Sequence, residues 1–200
     1  MPPTCLTLIL TLLLTHAAAQ PATPLQYANK TYKTAKIGTQ TWLAENLNYE
    51  AEGSVCYENK PANCAKYGRL YDWETAMKVC PKGWHLPSNA EWDKLYRFVD
   101  GDTDTKSPYQ NKTAGKHLKA DSGWNEDGNG TDKYSFSALP GGYGNSDGSF
   151  YNVGSSGYWW SASDDNSDFA YFRGMYYYYD NADWSNDDKS YLFSVRCLQD

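Results

Sequence analysis

Residues 80–92, CPKGWHLPSNAEW, constrain the chain more than any other stretch, because they compress a helix exit, a turn, a short strand and a helix start into one corner. Pro81 cannot continue a helix behind it, and Gly83 can take the left-handed conformation that closes a helix end, so the preceding helix is expected to stop near Cys80. Ser88 followed by Glu91 has capping-box spacing: the hydroxyl accepts from the Glu91 amide and the carboxylate from the Ser88 amide. Trp92, Leu95, Tyr96 and Val99 then share one helical face. Upstream, Trp73, Ala76, Met77 and Cys80 repeat that spacing behind Asp72 as a cap. Two short amphipathic helices flanking one tight corner are therefore expected.

Residues 1–19 read as a signal peptide. The apolar run from Leu6 to Leu14 is too short to cross a bilayer, and Ala17-Ala18-Ala19 offers a small-x-small cleavage site. The expected organisation is an N-terminal extension over 20–30 and one domain over 31–200, secreted, periplasmic or held at the cell surface, without a lipid anchor. Loss of the leader leaves four cysteines, Cys56, Cys64, Cys80 and Cys197, an even set that in an exported chain points to two disulfides. Three pairings exist. Cys56 with Cys64 is favoured because the segment containing Pro61 closes a compact loop, and Cys80 with Cys197 follows, tying the helix exit to the last strand. A zinc site competes poorly, since no C-x-x-C pair exists and His85 and His117 lack partners at ligand spacing.

A formal net charge of -6 disfavours nucleic acid and anionic membrane surfaces as partners. After the leader no segment is suited to crossing a membrane. Eighteen tyrosines and eight tryptophans are the unusual feature, since these rings build contact surfaces as well as cores. Residues 32–48 read as a strand, a turn at 38–40 and a second strand running into a short helix, and 57–70 as a loop pinned by the first disulfide. Residues 101–130 read as surface loop anchored by Leu118 and Trp124, and 136–160 as short strands joined by tight turns. Residues 171–179 and 191–197 read as strands, the latter with Cys197 and its alternate residues facing inward. The composite is α+β, with two short helices on a small, mostly antiparallel sheet.

The pieces YKTAKIGTQTWLAENLNY, YGRLYDWETAM, CPKGWHLPSNAEWD, FSALPGGY and FSVRC, in this order, resemble the Fibrobacter succinogenes major paralogous domain, a set of exported, cysteine-containing domains. More distantly, GWHLPSNAEW is similar to a segment of formylglycine-generating-enzyme-like domains, a branch of the C-type-lectin-like fold. The resemblance implies that fold, with long loop-rich insertions. The enzyme's activity does not carry over, because its copper-assisted oxidation uses a pair of cysteines near the carboxyl end and Cys197 stands alone there. The same fold displays binding surfaces in retroelement-diversified proteins, whose variable positions precede a C-terminal strand. Here a tyrosine-rich stretch occupies that place.

No catalytic constellation stands out: there is no G-x-S-x-G, no H-E-x-x-H and no phosphate-cradling glycine loop. The expectation is an exported, non-enzymatic binding module presenting a Tyr/Trp-rich surface to a glycan or a cell-surface partner. Protein adhesion or a structural surface role, and a polysaccharide-active enzyme, are the alternatives. Two acidic groups, Asp164, Asp165 and Asp168, and Asp180, Asp183, Asp187 and Asp188, hold oxygens of the kind calcium needs; the reading carried forward is solvated loop acids, with no metal or other cofactor. The ligand-contact residues are expected to be Tyr171, Arg173, Tyr177, Tyr179, Trp184 and Asn186. Strand alternation places Tyr171, Arg173, Tyr177 and Tyr179 on one face, and burying Arg173 would demand an acidic partner, so an exposed face is the simpler reading. A bulge at Gly174 would expose Tyr176 and Tyr178 instead.

Overall fold

The computed structural model describes residues 20–21, 23–103 and 112–200. The expected leader lies outside them. Short strands open the chain: β1 (Gln20–Pro21), β2 (Leu25–Tyr27), β3 (Lys30–Tyr32), β4 (Thr34–Ile37) and β5 (Gln40–Leu43). The middle carries β6 (Ser54–Val55), α1 (Pro61–Tyr67), β7 (Leu70–Tyr71), α2 (Trp73–Ala76), β8 (Trp84–His85), α3 (Asn89–Asp100) and α4 (Ala114–Leu118). The last third runs through β9 (Gly141–Gly144), β10 (Phe150–Val153), β11 (Ser156–Asp164), β12 (Phe169–Tyr176), β13 (Ala182–Asp188), β14 (Phe193–Ser194) and β15 (Leu198–Gln199).

One sheet has the order β1-β4-β5-β15-β8, so Leu198 lies between Trp42 and His85 and the two ends of the domain share a sheet. A second runs β10-β9-β11-β14-β7-β6, with β12 continuing from β11 and β13 pairing β12 at an edge. Most pairings are antiparallel; β11 meets β9 and β14 in parallel. The mixed α+β class holds, and both expected disulfides, Cys56–Cys64 and Cys80–Cys197, are formed.

The corner at 80–92 forms much as its residues dictate. Asp72 caps α2 through Thr75 N, and the Ser88–Glu91 capping box is complete, with Ser88 N donating to Glu91 Oε2 at 2.8 Å. Trp92, Leu95, Tyr96 and Val99 are all buried. The helix before the corner is shorter than expected: α2 ends at Ala76, Met77 is exposed, and buried Val79 fills the inner position. Three other expectations change. The segment after β5 is a bend with no short helix. Residues 61–67, read as loop, are α1, started by Pro61 at its first turn, ended by Gly68, and buried through Cys64 and Tyr67. Within the expected 101–130 loop, α4 forms; the anchors Leu118 and Trp124 are buried as expected.

Two aromatic cores lie on either side of β11. Adjacent Trp159 and Trp160, both fully buried, point in opposite directions, as strand alternation requires. Trp159 joins Trp42, Trp92 and Phe136 under α3, whereas Trp160 joins Tyr71, Phe172 and Phe193. At the seam between the sheets, Asn46 Nδ2 donates to Tyr67 O and Ser194 Oγ, while Asn46 Oδ1 accepts from Trp159 Nε1 and Arg196 Nε, both at 2.8 Å. Arg196 also donates to the carbonyls of Leu43, Phe136 and Ser137 and stacks over the Phe136 ring. Burial pulls its pKa down to about 9, which still leaves it charged at neutral pH. The residue was expected opposite an inward Cys197 face; in fact both faces of 193–197 are covered, because this segment threads the two cores.

Candidate functional site

The six expected contact residues do not form one surface. Arg173 is 2% exposed, packed beneath α3, where Nη2 donates to Asp93 Oδ1 at 2.9 Å and to Asn89 O at 3.0 Å. The acidic partner that burial requires is supplied by the α3 corner, so Arg173 is not a surface residue. The face of β12 that carries it is the face α3 covers, with Met175 beside it. No bulge interrupts Gly174, since β12 and β13 pair without a break from Phe169↔Asp188 to Met175↔Ala182. The strand stops at Tyr176, so alternation says nothing about Tyr177 and Tyr179: Tyr177 is half-buried against the core and Tyr179 lies beyond the strand's end.

Beyond the helix, Tyr171, Trp184 and Asn186 do come together. The Tyr171 and Trp184 rings meet edge-on at 5.8 Å, and Asp165 accepts from both the Tyr171 hydroxyl and Asn186 Nδ2, each at 2.9 Å. That hydrogen bond to Asp165 raises the Tyr171 pKa. At the other end of the hairpin, Tyr178 and Tyr179 are 58% and 52% exposed with their rings 4.3 Å apart, and Trp184 on the edge strand is 61% exposed. Lys119 fixes this turn from below, its ammonium donating to Tyr176 O and Tyr179 O at 2.9 and 3.0 Å.

The opposite face of the same three strands holds a second feature that sequence reasoning missed. Register places Tyr158, Phe172, Gly174 and Tyr176 on one side together with Asp183, Ser185 and Asp187. All of these but Gly174, with Trp184, Tyr143 from β9 and Asn152 from β10, line a cleft of about 410 Å³ floored by buried Tyr158, Phe172 and Phe193. Two glycines shape it. At Gly142, with φ 65°, an added Cβ would lie 2.3 Å from Tyr151 O, so only glycine lets β9 approach β10 and deliver Tyr143. At Gly174 an added Cβ would lie 2.8 Å from the Tyr176 hydroxyl, so the missing side chain makes room for that ring. The available signal was Gly174 inside an aromatic strand, a pattern that marks close approach as well as bulges. Asn152 Nδ2 donates to the Tyr158 hydroxyl at 3.2 Å.

The acids are distributed as hydrogen-bond acceptors. Asp164 faces Lys189, Asp180 faces Lys116, and Asp188 accepts from Ser190 N. Among the described residues no group of three or more His, Cys, Asp or Glu side chains is placed to hold a metal ion, and no helix is long and apolar enough to cross a membrane.

Compared with known proteins, residues 35–199 match the family model described as the Fibrobacter succinogenes major domain. No curated protein and no solved structure gives a significant match.

Proposed function

This chain belongs to the Fibrobacter succinogenes major domain family, and on that footing we propose that it is an exported, non-enzymatic binding module whose β12–β13 hairpin meets a glycan on or near a cell surface. The observation that carries the reading is the exposure of Tyr178, Tyr179 and Trp184 on one edge hairpin. Exposing three large rings on a hairpin leaves apolar surface in water that a ligand would cover, and tyrosine and tryptophan offer a stacking face with a polar rim. Asp165 and Asn186 beside Tyr171 add directional hydrogen bonding. The two disulfides suit an oxidising compartment, and removal of residues 1–19 on export belongs to the same proposal. A C-type-lectin-like fold is the architecture proposed with it, supported by the domain's two ends meeting in one sheet, by two helices framing the corner, and by a second, loop-rich sheet that carries the exposed rings.

The test is retention on insoluble cell-wall polysaccharides by the wild type and by the triple variant Tyr178→Ala/Tyr179→Ala/Trp184→Ala. Glycan binding predicts retention that the variant loses at an unchanged melting temperature. Retention equal in both proteins, or none in either with a protein captured by cross-linking at the same hairpin, assigns the surface to another partner.

A further inference from the structure

The cleft behind the β12–β13 hairpin has a chemistry that the exposed rings lack. Among the described residues its ionisable lining is acidic or phenolic: Asp183 and Asp187 with Tyr143, Tyr158 and Tyr176, and no lysine, arginine or histidine. Around Tyr158, which stacks on Phe193 at 26°, the other rings stand steeply, with interplanar angles of 85° to Tyr143, 75° to Phe172 and 80° to Tyr176. Such rings form a box, whereas a sugar face needs a plate. A box of ring faces presents negative quadrupole potential from several sides to a compact group placed inside it.

The carboxylates reinforce that field. Both acids line the cleft; burial is the first cause that raises the pKa of Tyr143 and Tyr176, and the charges of Asp187 and Asp183 respectively add smaller contributions. Asp187 is itself raised by burial and by the neighbouring Asp188 charge. Neither Asp183 nor Asp187 forms a salt bridge among those of the described residues; their carboxylates accept from the backbone amides of Trp184 and Asp188. Asp187, half-buried beside the rings and without a counter-ion, leaves the site electrostatically incomplete, while Asp183 stands exposed at its edge.

We propose that this cleft binds an organic ammonium group, with Tyr143, Tyr158 and Tyr176 facing the cation and Asp183 and Asp187 supplying its counter-charge. The volume of about 410 Å³ admits the headgroup and the first atoms of the chain that carries it. The cleft borders the hairpin surface at Trp184 but is not lined by Tyr178 or Tyr179, so Tyr179→Ala tells the two assignments apart.

Calorimetric titration of the full chain with choline, with Nα-acetyl-lysine amide and with the neutral choline isostere 3,3-dimethylbutan-1-ol tests the proposal. At least one ammonium compound should bind saturably, about tenfold or more tighter than the isostere, and more weakly as salt is raised. Binding of choline alone identifies a quaternary headgroup as the source, and binding of the lysine amide alone a peptide side chain. Asp183→Asn/Asp187→Asn should weaken the cation about tenfold and leave the isostere unchanged. Should that variant melt early, Ser185→Lys provides a second arm by placing a tethered ammonium at the cleft, and it should abolish binding. Tyr179→Ala should leave cation affinity unchanged. Equal affinity for cation and isostere, no saturable binding of either ammonium compound, insensitivity to the folded aspartate or Ser185 variants, or loss of binding in Tyr179→Ala would overturn the assignment.

Discussion

The seam around Arg196 and the hairpin β12–β13 both combine charge with aromatic rings, yet they are built to opposite specifications. At the seam the guanidinium is fully buried, its donors reach Asn46 and three backbone carbonyls, and its plane lies on Phe136. On the hairpin Tyr178, Tyr179 and Trp184 face water, and the acids accept from their own neighbours' amides. A buried charge stabilises only when every donor is met, and orphaning its partners is costly. An exposed ring contributes little to stability and stays available for contact. Arg173 lies between these cases: it is buried, but Nε has no partner and its counter-ion Asp93 is 48% exposed.

The largest break in this comparison should come from the disulfides. Cys80–Cys197 anchors the seam across a separation of 117 residues, whereas Cys56–Cys64 spans 8. Loop-closure entropy then predicts that Cys80→Ser/Cys197→Ser costs about 5 kcal/mol and Cys56→Ser/Cys64→Ser about 2.5 kcal/mol. Non-reducing urea titrations measure both, and equal losses would remove the seam's special standing. Next, Arg196→Met should cost about 3–5 kcal/mol because it strands Asn46 and three carbonyls, while Arg173→Met should cost about 1 kcal/mol, since Asp93 can turn to water. A larger loss at Arg173 would mean that the α3 contact, and not the seam, is the critical charge site.

On the hairpin, Tyr178→Ala and Tyr179→Ala should each shift stability by about 0.5 kcal/mol or less. A loss of several kcal/mol would make these rings core and erase the contrast.

The smallest effect sits at the outer edge of the seam's sheet, where His85 Nε2 meets Glu91 at 2.9 Å and Nδ1 meets Asp200 at 2.7 Å. Burial opposes the imidazolium, but the hydrogen bonds to Asp200 and Glu91 outweigh it, so its pKa is raised above 6.5. A raised folded-state value means that this stabilisation is complete below the unfolded pKa and is lost as pH rises through the folded one. Glu91 is lowered, so its share is present above 4.5 and lost in acid. Thermal melts should show wild-type stability declining as pH climbs beyond 6.5, and His85→Gln should flatten that decline.

The elements that the sequence made legible were those where local chemistry and burial agree. The Ser88–Glu91 box, the Trp92 face and the cysteine pairings each follow from spacing and were found where expected. The hairpin was legible only in part. Its acidic outer strand, ADWSNDD, has poor intrinsic strand character and forms because β12 templates it, a tertiary cause that residue type does not reveal. Alternation placed Arg173 with Tyr171 correctly and failed on exposure, because the covering helix lies some eighty residues earlier in the chain. The cleft was invisible for the same reason. Tyr143, Tyr158, Tyr176 and Phe193 belong to four separate strands, and only the fold brings them together.

The placement of β15 between β5 and β8 also sets an order of events. Synthesis releases residues 40–43 and 84–85 long before residues 198–199, so the centre of that sheet stays vacant while its flanks wait. Arg196 and Cys197, which close the seam, arrive in the same final segment. A nascent chain that has delivered everything up to Leu192 therefore holds nearly all its aromatic surface, with Asn46 and Cys80 still lacking Arg196 and Cys197. Long-range closure of this kind makes folding late and concerted, with little to gain from folding piecemeal during elongation.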